Sequence, residues 1–224
     1  MGYVTLAHKV AEAKRPTAGL LLADIAEGSL VKLNESGSPV EFYVAKHDYE
    51  PSLNGNGRTL LVRKECHSER KWNSASNSAY ATSDVDAWLS GDYKSLLDTS
   101  VQNAIGETSF YYTIGNTDPT QATLSRSVFL LSLAEHNRQA DNVNADGSAL
   151  PIASVLAVAT LGGEAVDQWT RSVVKTSSKN VYKIKADGEP SYPYCTYSNG
   201  IRPCFTLPAD TAVDEETPMF EEVS

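Results

Sequence analysis

The chain has 224 residues, 41% of them hydrophobic and 21% charged, which suits one domain with an ordinary core and excludes wholesale disorder. Twenty-eight acidic residues against 19 basic ones give a formal net charge of −9; such a surface repels phosphate backbones, so no nucleic-acid partner is expected. No apolar run reaches bilayer length, since 20–26 and 155–161 are short and flanked by charge or glycine.

Residues 3–15 read as a short helix ending before Pro16, or as an extended arm. Lys9, Glu12, Lys14 and Arg15 interrupt any signal-peptide core, so synthesis in a cytoplasm is expected. A second apolar stretch, 17–33, breaks at Gly28-Ser29 and ends in a strand over 30–33. The turn cluster 34–39 leads to an alternating strand at 40–46. Asn54-Gly55-Asn56-Gly57 marks a loop before a strand at 58–64. Residues 66–77 are polar, with Trp72 as the large apolar anchor. Ser83 is placed to cap a helix, with Asp86 three residues on. Val85, Trp88 and Leu89 share one face of that helix, and Leu96, Leu97, Val101 and Ile105 predict a second helix over 92–105.

Residues 108–114 read as a strand, 116–123 as a loop, and 128–133 as a central strand because the run is continuously apolar. A polar loop spans 139–148, and the small apolar stretch 149–161 fits helix or strand equally. A strand-like run opens at Trp169 and Arg171, and 180–186 alternates as a half-buried strand. Asp187-Gly188 is a strong turn signal. A tyrosine-rich loop follows over 190–199, then a last strand at 204–207 with Pro203 at its start. The tail 209–224 is acidic.

Catalytic signatures are missing from this pattern. His8, His47, His67 and His136 form no zinc-spaced pair. Asp141 to Gly147 places oxygen side chains at alternate positions and a glycine sixth, like half a calcium loop. Ile152 stands where the closing acid belongs, so the reading is a polar loop and no metal. Neither a nucleophile elbow nor a phosphate-binding glycine loop occurs. No catalytic residue and no cofactor are assigned. Cys66, Cys195 and Cys204 are read as reduced thiols, although Cys195 and Cys204 flank the tyrosine-rich loop. In that loop Tyr192, Tyr194, Tyr197 and Asn199 are the candidate ligand-binding residues. Tyrosine gives large contact area at low entropic cost, and Ser or Asn adapts its hydrogen bonds. The alternative is that the tyrosines pack on their own domain.

Trp169-Thr170-Arg171-Ser172, then a β-rich insert, then the segment 198–207 with Gly200-Ile201-Arg202-Pro203, resembles the end of a domain of unknown function found in gut bacteria and their phages. The run 127–135 and the segment 80–89 agree with it, and the likeness covers roughly 28–208. The resemblance implies an α+β, C-type-lectin-like single domain related to sulfatase-modifying-factor-type domains, with a docking arm at 1–27 and a tail at 209–224. It marks Trp169, Arg171 and Arg202 as structural motif residues, one arginine holding carbonyls or a carboxylate inside the fold. The resemblance implies no established activity; together with the missing secretion signal and the arms at both termini it leads to the expectation of a non-enzymatic, homo-oligomeric protein on a phage virion surface. Its arm would contact other virion proteins and its loop a host glycan or protein receptor. The rivals are a purely structural capsid or tail decoration protein and a sulfatase-modifying-type enzyme, whose cysteine pair does not map onto Cys195 and Cys204.

Overall fold

A computed structural model describes residues 20–213. Its strands, in chain order, are β1 (Leu20–Leu21), β2 (Leu30–Glu35), β3 (Ser38–His47), β4 (Arg58–Arg63), β5 (Ser68–Lys71), β6 (Thr108–Gly115), β7 (Asp118–Arg126), β8 (Ala159–Leu161), β9 (Glu164–Val166), β10 (Gln168–Val173), β11 (Val181–Ile184), β12 (Pro190–Ser191), β13 (Ser198–Ile201), β14 (Cys204–Pro208) and β15 (Ala212–Val213). The α-helices are short: α1 (Pro51–Asn54), α2 (Asp84–Trp88) and α3 (Thr99–Ala104). Together they form a single mixed α+β domain.

Two sheets carry the core. An antiparallel sheet has the order β14-β4-β3-β2, and a five-stranded sheet has the order β12-β11-β10-β13-β5. Within the second, β10 and β13 run parallel and the other pairs antiparallel. The β2–β3 hairpin turns at Ser36-Gly37, both at positive φ, which glycine adopts without steric cost. Phe42, Val44, Leu60, Leu61, Val62 and Phe205 are fully buried on the first sheet. Phe42 and Phe205 pack with ring centroids 5.4 Å apart, a tilted geometry favoured by the ring quadrupoles.

Several expectations are corrected. The run 128–133 is buried but is not a ladder strand; it makes one bridge, Phe129 to Cys204 at the edge of β14. Side chains take over the remaining backbone groups: the Tyr80 hydroxyl accepts from Leu130 N–H at 3.1 Å, and the Ser172 hydroxyl accepts from Leu133 N–H at 2.9 Å. The expected loop 116–123 holds most of β7, which pairs with β6 along the hairpin. The polar segment 66–77 contains β5. The helix expected over 92–105 is broken into a π turn at Leu89–Tyr93, a 3-10 turn at Lys94–Leu96 and α3. The break is enforced by β2: Leu96 O accepts from Ser36 N–H at 2.6 Å, and Asn34 O accepts from Asp98 N–H at 3.2 Å. Ser83 does cap α2, its hydroxyl accepting from Asp86 N–H at 3.1 Å. The Asp86 carboxylate, however, turns to Arg126 at 2.8 Å.

The expected docking arm needs a revised boundary. Residues 1–19 lie outside the described residues, and so do 214–224 of the tail. Residues 20–27 pack on the domain: Leu22 and Ile25 are in the core, and Glu27 accepts from His47 N–H at 2.8 Å. At the other end β15 pairs with β1, Leu20 opposite Val213 and Leu21 opposite Ala212.

Gly115 turns β6 toward β7 at φ +85, where a Cβ would stand 2.6 Å from Ser78 O. Gly115→Ala therefore combines backbone strain with a clash against another main chain, and should cost more than about 2 kcal/mol. Gly37→Ala has a similar φ but open space around it, and should cost about 1 kcal/mol. Urea denaturation of the two variants checks the order.

Candidate functional site

The site is built on a buried charge. Arg171 lies in β10 with no exposed surface. Its guanidinium makes a fork with Glu135, at 2.6 Å from Nη1 and 3.0 Å from Nη2. The remaining donors reach the carbonyls of Tyr111 at 3.0 Å, Leu130 at 2.8 Å and Asp146 at 2.9 Å. All five N–H groups of the side chain are thus used. Glu135 is held in turn by Ser132: the carboxylate accepts from Ser132 N–H at 2.7 Å and the Ser132 hydroxyl accepts from Glu135 N–H at 3.1 Å. That reciprocal pattern is a capping box. Tyr49 also donates its hydroxyl to Glu135. Burial pulls the Arg171 cation down, but the charge and hydrogen bonds of Glu135, with Tyr49 and Asp146, together hold it well above the ordinary arginine range.

Arg202, also buried, has a different job. Its donors meet main-chain carbonyls of Arg63 at 2.8 Å, Lys64 at 2.7 Å and Leu156 at 3.1 Å. It stitches the segment after β4 to the segment before β8. Trp169 is 1% exposed, and its indole N–H donates to Arg70 O at 3.0 Å, across β13 to the edge strand β5.

The half calcium loop is spent on the protein itself. The buried Asp146 carboxylate accepts from the Thr113 N–H at 3.1 Å, the Thr113 hydroxyl at 2.9 Å and Gln121 at 3.0 Å. Asn144 donates to Pro119 O at 2.8 Å. Gly147 has φ +106, and a Cβ there would press on the Glu135 carboxylate at 3.1 Å. The loop is a clamp joining the β6–β7 hairpin to the Arg171 site. Among the described residues no group of three metal-ligating side chains occurs.

Tyr192, Tyr194 and Tyr197 sit at the surface, 60%, 50% and 56% exposed. Tyr194 and Tyr197 neighbour each other with centroids 6.0 Å apart, and Tyr192 meets the edge of Tyr182 at 5.7 Å. The backbone beneath them is fixed: Asn180 and Tyr194 form a bridge, the Asn180 amide donates to Tyr192 O at 2.7 Å, and Cys195 N–H donates to Lys179 O at 2.8 Å. The result is a loop pinned through its backbone, with three outward rings. Asn199 is not part of that face. It is 5% exposed within β13, next to Lys183.

Ser198, which follows Tyr197, borders a groove of about 350 Å³ lined by Glu69, Arg70, Lys71, Asp84 and Trp88. The Arg70 guanidinium lies 3.9 Å above the Trp88 ring, a cation–π contact. The sequence reading did not find this groove, because β5 reads as plain polar sequence; the charged pair Arg70-Lys71 beside a tryptophan helix was the available signal.

The three cysteines are free and buried. Cys195 Sγ approaches Ala75 O, and Cys204 Sγ approaches Phe129 O. Burial pushes the Cys66 thiol up to about 11 and raises those of Cys195 and Cys204. Thiols so placed are poor nucleophiles at neutral pH.

Arg171→Met leaves the Glu135 carboxylate buried and unpaired. Its expected cost is about 3–5 kcal/mol. The double variant Arg171→Met, Glu135→Leu should lose less than the sum of the two single losses, which a double-mutant cycle in urea measures.

His136 gives a pH prediction. Burial, then the Arg202 and Arg138 cations, lower it to about 3 from an ordinary 6.5, and its Nδ1 has no partner among the described residues. Between those values the unfolded chain binds a proton that the folded chain refuses. Stability from this group is whole above pH 6.5 and falls as pH drops toward 3, by at most about 1.4 kcal/mol per pH unit. The buried carboxyls Asp86 and Asp146 are raised and act in the opposite direction. Comparing the wild type with His136→Gln isolates the histidine: the variant should lose less stability than the wild type between pH 7 and 4.

The family described as a domain of unknown function (DUF6273) matches residues 56–209, well over half of the chain. No curated protein and no solved structure matches it. The matched region runs from the loop before β4 to the end of β14 and holds Trp169, Arg171 and Arg202 together with the residues they bind through both sheets. By that match the chain belongs to the DUF6273 family.

Proposed function

We propose that the domain is a non-enzymatic recognition module, C-type-lectin-like in its α+β architecture. Tyr192, Tyr194 and Tyr197 are its contact face for a glycan or protein on a host cell. One observation carries this reading: among the described residues these three are the exposed aromatic side chains, and they stand together on one loop. A domain whose other described aromatic rings are buried, or half-buried as Tyr111 and Tyr112 are, gains nothing in stability from leaving three in water. Tyrosine faces pack on sugar rings or apolar protein surface, and the hydroxyls add hydrogen bonds at little entropic cost. Their hydroxyls make no hydrogen bond to the described residues, so they are free to serve a ligand. The adjoining groove, with its Arg70–Trp88 stack, extends the face with a cation and an aromatic edge. The setting that the sequence resemblance implies is a phage virion, where neighbouring virion proteins would hold repeated copies of the chain.

The test is Tyr194→Ala, read by a glycan array and by adsorption to host cells. Binding should weaken by about 2 kcal/mol or more. Thermal stability should change by no more than about 0.5 kcal/mol, since the ring is half in solvent. Intact adsorption by a Tyr192→Ala, Tyr194→Ala, Tyr197→Ala triple variant would defeat the recognition reading and leave the domain as virion decoration.

A further inference from the structure

Beneath the tyrosine loop three side chains meet on one face of the five-stranded sheet. Lys183, on β11, stands opposite Trp169 in the register of β10. Asp167 immediately precedes β10, and its carbonyl accepts from Gly200 N–H at 2.8 Å, which sets Asn199 of β13 beside it. The Lys183 ammonium touches Asp167 Oδ2 and lies 3.2 Å from Asn199 Oδ1. The other Asp167 oxygen is fixed by Ala186 N–H at 2.8 Å. The Lys183 side chain is 16% exposed. Asn199 is buried, and its Nδ2 is out of contact with solvent and has no hydrogen-bond partner among the described residues.

A salt bridge accounts for Lys183 and Asp167. It does not account for the bare amide. A buried carboxamide nitrogen with no acceptor costs about 1–3 kcal/mol, and folded proteins rarely keep one without a reason. Here the orphan is the leaving group of a carboxamide whose oxygen is already in contact with an amine, one bond from the electrophilic carbon. We propose that Lys183 and Asn199 join in an intramolecular isopeptide bond, with Asp167 as the proton carrier.

The step balances without an oxidant, reductant or co-reactant. Asp167 takes a proton from the Lys183 ammonium, freeing the nitrogen lone pair. Nζ attacks Cγ of Asn199, and the pair returning from the tetrahedral oxygen expels Nδ2. Asp167 hands its proton to that nitrogen, and the second proton lost by Nζ follows the same route. The products are a secondary amide, an ammonium ion and the restored Asp167 carboxylate. A fixed pair of reactants turns a slow bimolecular aminolysis into a unimolecular one, and a carboxylate in contact with the nucleophile supplies general base and then general acid catalysis. The bond closes the segment 183–199, with its three tyrosines, into a covalent ring, and so removes freedom that a ligand would otherwise have to freeze.

The experiment is mass spectrometry of the purified full-length chain, denatured only after folding. The expected intact mass is below the sequence mass by one ammonia. Tryptic digestion should yield one branched peptide joining Lys183 to Asn199. Lys183→Arg and Asn199→Ala should each restore the mass calculated from their sequences. Asp167→Asn keeps the shape but removes the base, and should leave the two peptides separate in a chain whose circular dichroism is unchanged. A folded wild-type chain of full sequence mass, with both peptides linear after prolonged incubation, overturns the proposal. So does conversion of Asn199 to aspartate without a branched peptide.

Discussion

The fold depends on one buried guanidinium. Taking Arg171 and Glu135 out of water costs several kcal/mol for each charge, and only a complete set of partners offsets it. The partners come from segments far apart in the chain: β6 through Tyr111, the apolar run through Leu130, the capping turn through Glu135, and the clamp loop through Asp146. Each of those segments is irregular or paired on one side, and each has carbonyls to satisfy. The guanidinium, a planar fork of five donors, satisfies three of them and a carboxylate at once, which a lysine could not do. Removing the charge would therefore unfasten four segments together. This explains how a domain with short helices, two main sheets and three two-stranded ribbons fixes so much loop.

The same arrangement decides how much was legible in the sequence. Strands β3 and β11 announced themselves by alternation and β4 by its apolar run after a glycine loop, although β3 and β4 are each buried on both faces over four consecutive residues. The run 128–133 misled because its apolar character reports burial, while its backbone hydrogen bonds go to Tyr80, Ser172 and Arg171 side chains as well as to a strand. Periodicity carries no information about that. β5 and β7 were missed for the opposite reason. Both are polar and largely exposed, and their pairing is fixed by partners elsewhere in the chain. The long helix failed because β2 holds Leu96 and Asp98 by main-chain bonds, a tertiary constraint that local propensity cannot see.

At the site, tyrosine content was readable and burial was not. The three tyrosines and Asn199 stand within one short stretch of sequence and look alike as polar loop. A strand begins between them: Ser198–Ile201 is β13, and Asn199 turns inward where the tyrosines turn outward. The arginines could be recognised from their motif spacing, but their partners could not. Ser132 and Glu135 do carry a signature, Ser-x-x-Glu, which normally opens a helix. Here it closes a turn around a cation instead.

The antiparallel pairing of β1 with β15 has a practical consequence. Leu20 and Val213 face each other across a two-stranded ribbon, so the two ends of the described body lie side by side. A protein with that geometry can be spliced into an exposed loop of an unrelated scaffold without stretching either chain, since entry and exit are separated by little more than the spacing of adjacent strands. The tyrosine loop would then be a cassette, portable with its supporting sheet to any particle or enzyme that offers a single surface turn.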